Sequence, residues 1–352
     1  MQAGKGRSTA SPRARPTEHA PAVTLDMVAR EAGVSSSTVS RILNGTARVR
    51  ESKARAVQAA IAKLRFQPNP VAQSLARGKS MSVGVVTQSL ESPFYGEALA
   101  AIETGLLRSN YSPLFMSGHW READERRCIE HLLSRRVDGI ILLTSCLPDR
   151  ELIDLSRQAP LILTGRRVDG ERVVSLDYDN TQSARLATEY LLGQGHRRIA
   201  FIAGPDDHPD AQQRYAGYRA ALAGRKIPFV AKLVAVGDYY EGGGYAAMNR
   251  LLDSGEKFTA VFAANDQSAY GAMLALHRRG LNVPRDVSMI GFDDLPASSF
   301  MIPPLTTVHR SIDEVGEGAA EAMIDLIEGR DPVVRLSSAT LAIRESTMPL
   351  HS

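Results

Sequence analysis

The sequence predicts a small all-α headpiece joined to a large α/β body built on parallel sheets. Three observations carry this. The hydrophobic period is helical up to about residue 76, then changes at Met81 to apolar runs separated by helical segments. Runs such as Gly139-Ile140-Ile141-Leu142-Leu143 suit parallel strands buried on both faces. Charge divides at the same place. Residues 1–80 hold fourteen Lys or Arg against four Asp or Glu, a net of +10, which leaves −7 on the rest of a chain whose net charge is +3. A basic head on an acidic body points to a polyanion as the partner of the head.

The chain has 352 residues, enough for two or three packed units. Its 43% hydrophobic and 23% charged content fits a soluble globular protein. No uncharged apolar run reaches the ~18 residues of a membrane span, and no apolar h-region follows the basic N-terminus, so a secretory signal is not expected. The two cysteines, Cys128 and Cys146, form no close pair. A disulfide framework and a zinc site are therefore not expected, nor is any metal or cofactor, and the cytoplasm is the expected compartment.

Residues 1–22, rich in Ser, Pro, Ala, Gly and Arg, read as a disordered basic tail. Residues 23–67 read as three short helices. Thr24 caps Leu25 to Ala32, whose apolar positions are Leu25, Val28, Ala29 and Ala32, and Gly33 ends it in the left-handed region. Ser35 caps a second helix from Ser36 to Leu43 with Val39, Ile42 and Leu43 inward, and Asn44-Gly45 stops it. A third runs from Glu51 to Leu64 with Ala54, Val57, Ile61 and Leu64 on one face. Residues 68–80 then read as a hinge helix and linker. Asn69 is a good N-cap and Pro70 suits the first turn, but the helix is too short to stand alone in water.

Residues 81–352 read as a doubly wound body of two similar lobes. Strands are expected at Met81–Thr87, Ser112–Ser117, Gly139–Thr144, Leu161–Gly165, Val173–Leu176, Ile199–Gly204, Leu233–Gly237, Ala260–Ala264 and Val287–Gly291. The first lobe would take about 81–180 and 310–339, the second about 181–309 and 340–352.

Two helices joined by a tight Gly-containing turn form a helix-turn-helix, which places its second helix in the DNA major groove. Ser36, Ser37 and Arg41 could reach base edges, Arg41 through a bidentate contact to guanine, while Thr38, Ser40 and Asn44 suit phosphates. Thr24, Ser35, Arg48, Asn69 and Ala72 complete the expected DNA-facing set. By itself such a pattern also fits a small helical interaction module.

The segment Val23-Thr24-Leu25-Asp26-Met27-Val28-Ala29-Arg30-Glu31-Ala32-Gly33-Val34-Ser35, with Thr38-Val39-Ser40-Arg41-Ile42-Leu43-Asn44-Gly45, Phe66-Gln67-Pro68-Asn69 and Val71-Ala72-Gln73-Ser74-Leu75-Ala76, closely resembles the LacI/GalR family of bacterial repressors. The resemblance continues through Ser92-Pro93-Phe94-Tyr95, Arg136-Val137-Asp138-Gly139, Gly195-His196-Arg197-Arg198-Ile199, Ala264-Asn265-Asp266-Gln267, Ile290-Gly291-Phe292-Asp293-Asp294 and Pro304-Leu305-Thr306-Thr307-Val308. It implies a homodimer on near-palindromic double-stranded operator DNA, with hinge helices that order on DNA and insert Leu75 into the minor groove. An apolar wedge that kinks a base step gives a leucine on a marginal helix a physical role. Packing between two hinge helices would use Leu75 as well.

The resemblance also implies a two-lobed body of the periplasmic-binding-protein-like (type I) fold, with a small sugar-type effector between the lobes. Mapped by motif, the pocket would hold Phe94, Tyr95, Arg166, Arg214, Tyr239, Asn265 and Asp293, with His208 and Asp210 near it. Aromatic faces for a ring and forked polar groups for hydroxyls suit a sugar. Core packing is an equal alternative for Phe94 and Tyr95, and an interlobe salt bridge an alternative for Arg214 and Asp293. Arg166 favours a sugar over a purine or nucleoside, since purine-sensing members carry an aromatic there. No Leu heptads close the chain, so a dimer is expected.

An enzyme is not expected. Gly-x-Ser-x-Gly, P-loop and His-Glu-x-x-His patterns are missing, and Glu241-Gly242-Gly243-Gly244 has no following Lys-Ser/Thr. A sugar-transport binding protein is the other competing class, and the DNA-binding head argues against it.

Overall fold

The computed structural model describes residues 23–43, 50–66 and 78–350, which fall in two compact units meeting at Gly78–Lys79. The tail 1–22, Asn44 with the turn after it, Arg48, and the hinge with Asn69, Ala72 and Leu75 lie outside the described residues.

Among the described residues the first unit has three helices, α1 Leu25–Glu31, α2 Ser36–Leu43 and α3 Glu51–Leu64. Local chemistry sets their ends. Thr24 Oγ1 accepts from Met27 N at 3.4 Å at the start of α1, and Gly33 takes φ +64° after it. Ser35 Oγ accepts from Thr38 N at 3.3 Å at the start of α2. Val28, Ala29, Val39, Val57, Ala60 and Phe66 form one buried cluster, so each helix contributes an apolar face.

The second unit holds two sheets. In chain order its first elements are β1 Ser82–Thr87, α4 Pro93–Arg108, β2 Ser112–Ser117, α5 Glu122–Ser134, β3 Gly139–Leu143, α6 Asp149–Ser156, β4 Leu161–Thr164 and β5 Val173–Leu176. These strands form an all-parallel sheet in the order β2-β1-β3-β4-β5. Then come α7 Asn180–Gly193, β6 Ile199–Ala203, α8 Pro209–Gly224, β7 Val234–Val236, α9 Glu241–Asp253, β8 Ala260–Ala263, α10 Asp266–Arg278, β9 Ser288–Asp293, β10 Thr306–His309, α11 Ile312–Glu328 and β11 Thr340–Ala342. The second sheet runs β11-β10-β9-β8-β6-β7, parallel except for β11. The expected α/β class and parallel sheets are what the chain adopts.

Two strands differ from expectation. β10 lies in the Pro304–Val308 landmark, which carries no run long enough to read as a strand, and β11 is a three-residue antiparallel edge. β9 also runs two residues past Gly291 to Asp293, because Phe292 and Asp293 pair with Val308 and His309 of β10.

α11 returns to pack on α4 and on the first sheet, where Ala319, Ala320 and Met323 join Val83, Ile102 and Ile141 in one core. The chain therefore crosses between lobes three times, at 177–179, 310–311 and 329–339. Tyr178 Oη donates to Ser311 O at 2.7 Å and ties the first two crossings together. Among the described residues no helix is long and apolar enough to cross a membrane.

Candidate functional site

On α2, Ser37 and Arg41 are exposed one turn apart, on the side opposite buried Val39. Hydroxyls at the start of this helix, that of Ser37 included, have local partners. Ser36 Oγ donates to Asp26 of α1 and fixes the turn between the helices. Ser35 Oγ bonds Ser37 Oγ at 2.9 Å and Thr38 Oγ1 at 2.8 Å. Thr24 and Ser35 are thus N-caps, and Ser36 braces the turn. Such roles aim the helix without excluding a phosphate contact by the same oxygens.

In the body, the carboxyl ends of strands from both sheets meet at a cleft, where open α/β folds take their ligands. It holds a narrow cavity of about 60 Å³ and adjoins a second of about 40 Å³, sharing Phe94, Tyr95 and Asp210 as walls.

The floor is a buried charge cluster. Asp293 ends β9 with φ +108° and is 4% exposed. Its Oδ1 accepts from Arg310 Nη2 at 2.8 Å and lies 3.6 Å from Arg214 Nη2. Arg214, on α8, donates to Asn180 Oδ1 at 3.0 Å and Ala264 O at 2.6 Å, with its guanidinium 4.0 Å from the Phe292 ring centroid. Burial pushes the Asp293 carboxyl up, and the charges of Arg214 and Arg310 pull it back. Behind it, burial and then the charge of Asp293 push Asp266 up to about 7, against bonds from Ser298 and Thr307 and from Leu295 N at 2.8 Å. Arg214 and Asp293 both belong to the second lobe, so the ion pair between them does not join the lobes.

The walls are aromatic. Phe94 and Tyr95, at the start of α4, meet edge to face at 5.1 Å, and Tyr95 also packs into the first-lobe core. Both rings line the cleft, and both also pack against the first-lobe core. Tyr239 takes φ +70° after β7 and presses so closely on Gly204 that a Cβ there would fall 2.3 Å from Tyr239 Cζ. Asn265 holds this tyrosine in place: its Nδ2 donates to Tyr239 O at 2.8 Å, while its Oδ1 caps α10 through Ser268 N at 3.0 Å. Trp120 of the first lobe lies on His208 of the second with ring centroids 3.7 Å apart. Burial lowers the His208 pKa, which favours the neutral imidazole in this stack.

Of the seven expected pocket residues, six converge here and Arg166 does not. Its guanidinium donates to Ser145 O at 3.2 Å and Leu147 O at 2.8 Å, on the loop after β3, and pairs with Asp149 at the start of α6. Those carbonyls point at the guanidinium and hold it in the first lobe, away from the charge cluster. The motif placed its backbone after β4 correctly, but not its side chain. Asp210 and His208 line the cleft. Sequence reasoning missed Trp120, Asn180 and Arg310. Trp120 is the single tryptophan of the chain, which was a usable signal. Asn180 follows one lobe crossing and Arg310 lies in another, directly after the unrecognised β10.

A model of bacterial regulatory proteins of the lacI family matches residues 24–69, and one of a periplasmic-binding-protein-like domain matches residues 188–347. The HTH-type transcriptional regulator GalR of Escherichia coli (strain K12) is 36% identical over 326 residues, 92% of this chain and 95% of the relative. The ribose operon repressor of the same strain is 37% identical over 309 residues, 86% and 93%. Among solved structures, the lac repressor dimer bound to operator and the anti-inducer ONPF matches with a TM-score of 0.83 at 32% identity, covering 93% of this chain and 99% of that one.

Proposed function

The chain belongs to the LacI family of bacterial regulatory proteins, and from that premise we propose that it is a homodimeric, sequence-specific repressor of carbohydrate uptake or catabolic genes. A small sugar-type effector sets its operator affinity, and the protein acts in the cytoplasm. One observation carries the reading: a basic headpiece with Arg41 exposed on its second helix shares a chain with an aromatic and charged cleft. Residues 23–67 read the operator, 68–80 form the hinge with Leu75 as minor-groove wedge, and 81–352 bind effector and partner. The cleft is regulatory and not catalytic. Effector alters operator affinity only through its differential affinity for two states of the body, which makes the coupling reciprocal.

Deleting residues 1–80 tests this. The body has its own cores and is expected to keep a ligand-induced rise in Tm while losing operator binding. A truncated chain that binds operator as tightly as the full one overturns the reading.

Arg41→Ala is expected to relax base preference at one operator position, at a cost of about 1–3 kcal/mol. Titrations against single-base operator variants check it. A uniform loss on all sequences would reduce Arg41 to a phosphate contact.

A further inference from the structure

The cations of the cleft are already engaged. Among the described residues lining it, the arginines are Arg214 and Arg310, and no lysine is present. Both approach Oδ1 of Asp293, and Arg214 Nη2 also lies 3.7 Å from Asp210 Oδ2. Helix N-termini close on the same cleft, three of them met by a side chain of their own, whereas α4, entered at Ser92, has no side-chain cap and no acidic residue in its first turn. Asp210 sits in the first turn of α8, Glu241 in that of α9, and Asn265 caps α10.

Two buried donors that line the cleft have no hydrogen-bond partner among the described residues, Tyr239 Oη and Arg310 Nε. Among the described residues Nε of Arg310 makes no hydrogen bond, although the residue is 5% exposed. The same guanidinium holds Asp293 through Nη2. A ligand atom on Nε–H must therefore accept a hydrogen bond while close to a carboxylate. A hydroxyl can do both tasks, accepting from the guanidinium and donating to the carboxylate. A phosphate or carboxylate oxygen accepts equally well but brings its charge against Asp293 and Asp210 in a buried site.

We propose that the effector is a free, uncharged sugar, one hydroxyl of which bridges Arg310 Nε and Asp293, and that phosphorylated or acid forms of the same sugar are excluded. This rests on the sugar reading above. It places the regulator ahead of the kinase or oxidation step that would put charge on the sugar.

Matched triples test it on the full chain by thermal shift and calorimetry: glucose, glucose 6-phosphate and gluconate; galactose, galactose 6-phosphate and galactonate; ribose, ribose 5-phosphate and ribonate. For each skeleton that binds, the neutral form is expected to be at least about tenfold tighter than its charged partners. Arg310→Met is expected to weaken the neutral form about 10- to 100-fold, and Arg310→Gln, which returns a donor, to recover part of that loss. A charged form that binds as tightly as its neutral partner overturns this inference and leaves the sugar reading standing, as does wild-type affinity in Arg310→Met. Silence from every sugar, whether or not a purine base binds, overturns the sugar reading and this inference with it.

Discussion

Replacing Asp293 by alanine is expected to abolish the effector response of operator binding while the operator is still bound without effector. The carboxylate is the shared partner of Arg214 and Arg310, both nearly fully buried, so its removal leaves two cations facing each other. Breaking a buried pair in this way typically costs about 3–5 kcal/mol, so the alanine variant should also melt earlier. Asp293→Asn separates the two effects. It keeps an acceptor for Arg310 Nη2 and the shape of the floor, but not the charge that orients a ligand hydroxyl. Its effector affinity is expected to fall by about 10- to 100-fold, with a smaller loss of Tm than alanine. Operator titrations with and without the best-binding sugar check both variants, and an unchanged dose–response curve in Asp293→Asn removes this carboxylate from the effector site.

The headpiece was legible because local rules set it. Thr24, Gly33 and Ser35 cap or end helices through bonds within a few residues, and Val28, Val39 and Val57 face inward by period alone. The parallel sheets were legible for a similar reason, since runs such as Ile140 to Leu143 admit few other structures. Tertiary encounters were harder. Asn180 and Arg310 become neighbours of Arg214 only because the chain crosses between lobes at 177–179 and again at 310–311, and no local spacing encodes that. Arg166 shows the converse. Its backbone lies where the motif puts it, yet two loop carbonyls and Asp149 claim its guanidinium. A pattern of residue types places a Cα more securely than it places the end of a long side chain with several acceptors in reach.

The same limit applies to the surface through which two copies would meet, since exposure has no sequence signature. Phe300 is 85% exposed and Ile302 94%. Single exposed apolar residues are ordinary, but these flank Met301, which packs into the second-lobe core. Tyr270 Oη, on α10, bonds Ser298 Oγ at 2.7 Å and braces the turn, and Leu274, one helical turn further along α10, is also exposed. A braced turn that presents large side chains outward suits a self-complementary contact about a twofold axis. The double variant Phe300→Asp, Ile302→Asp would set carboxylates against their own symmetry mates. It is expected to sediment as a monomer where the parent is a dimer. Operator affinity should then fall by about 10²–10⁴-fold, because two half-sites are no longer bound by one linked particle. Effector binding should survive, since every cleft residue described above comes from one chain. A variant that stays dimeric would move the contact to another face of the body, and one that becomes monomeric with undiminished operator affinity would show that one headpiece suffices.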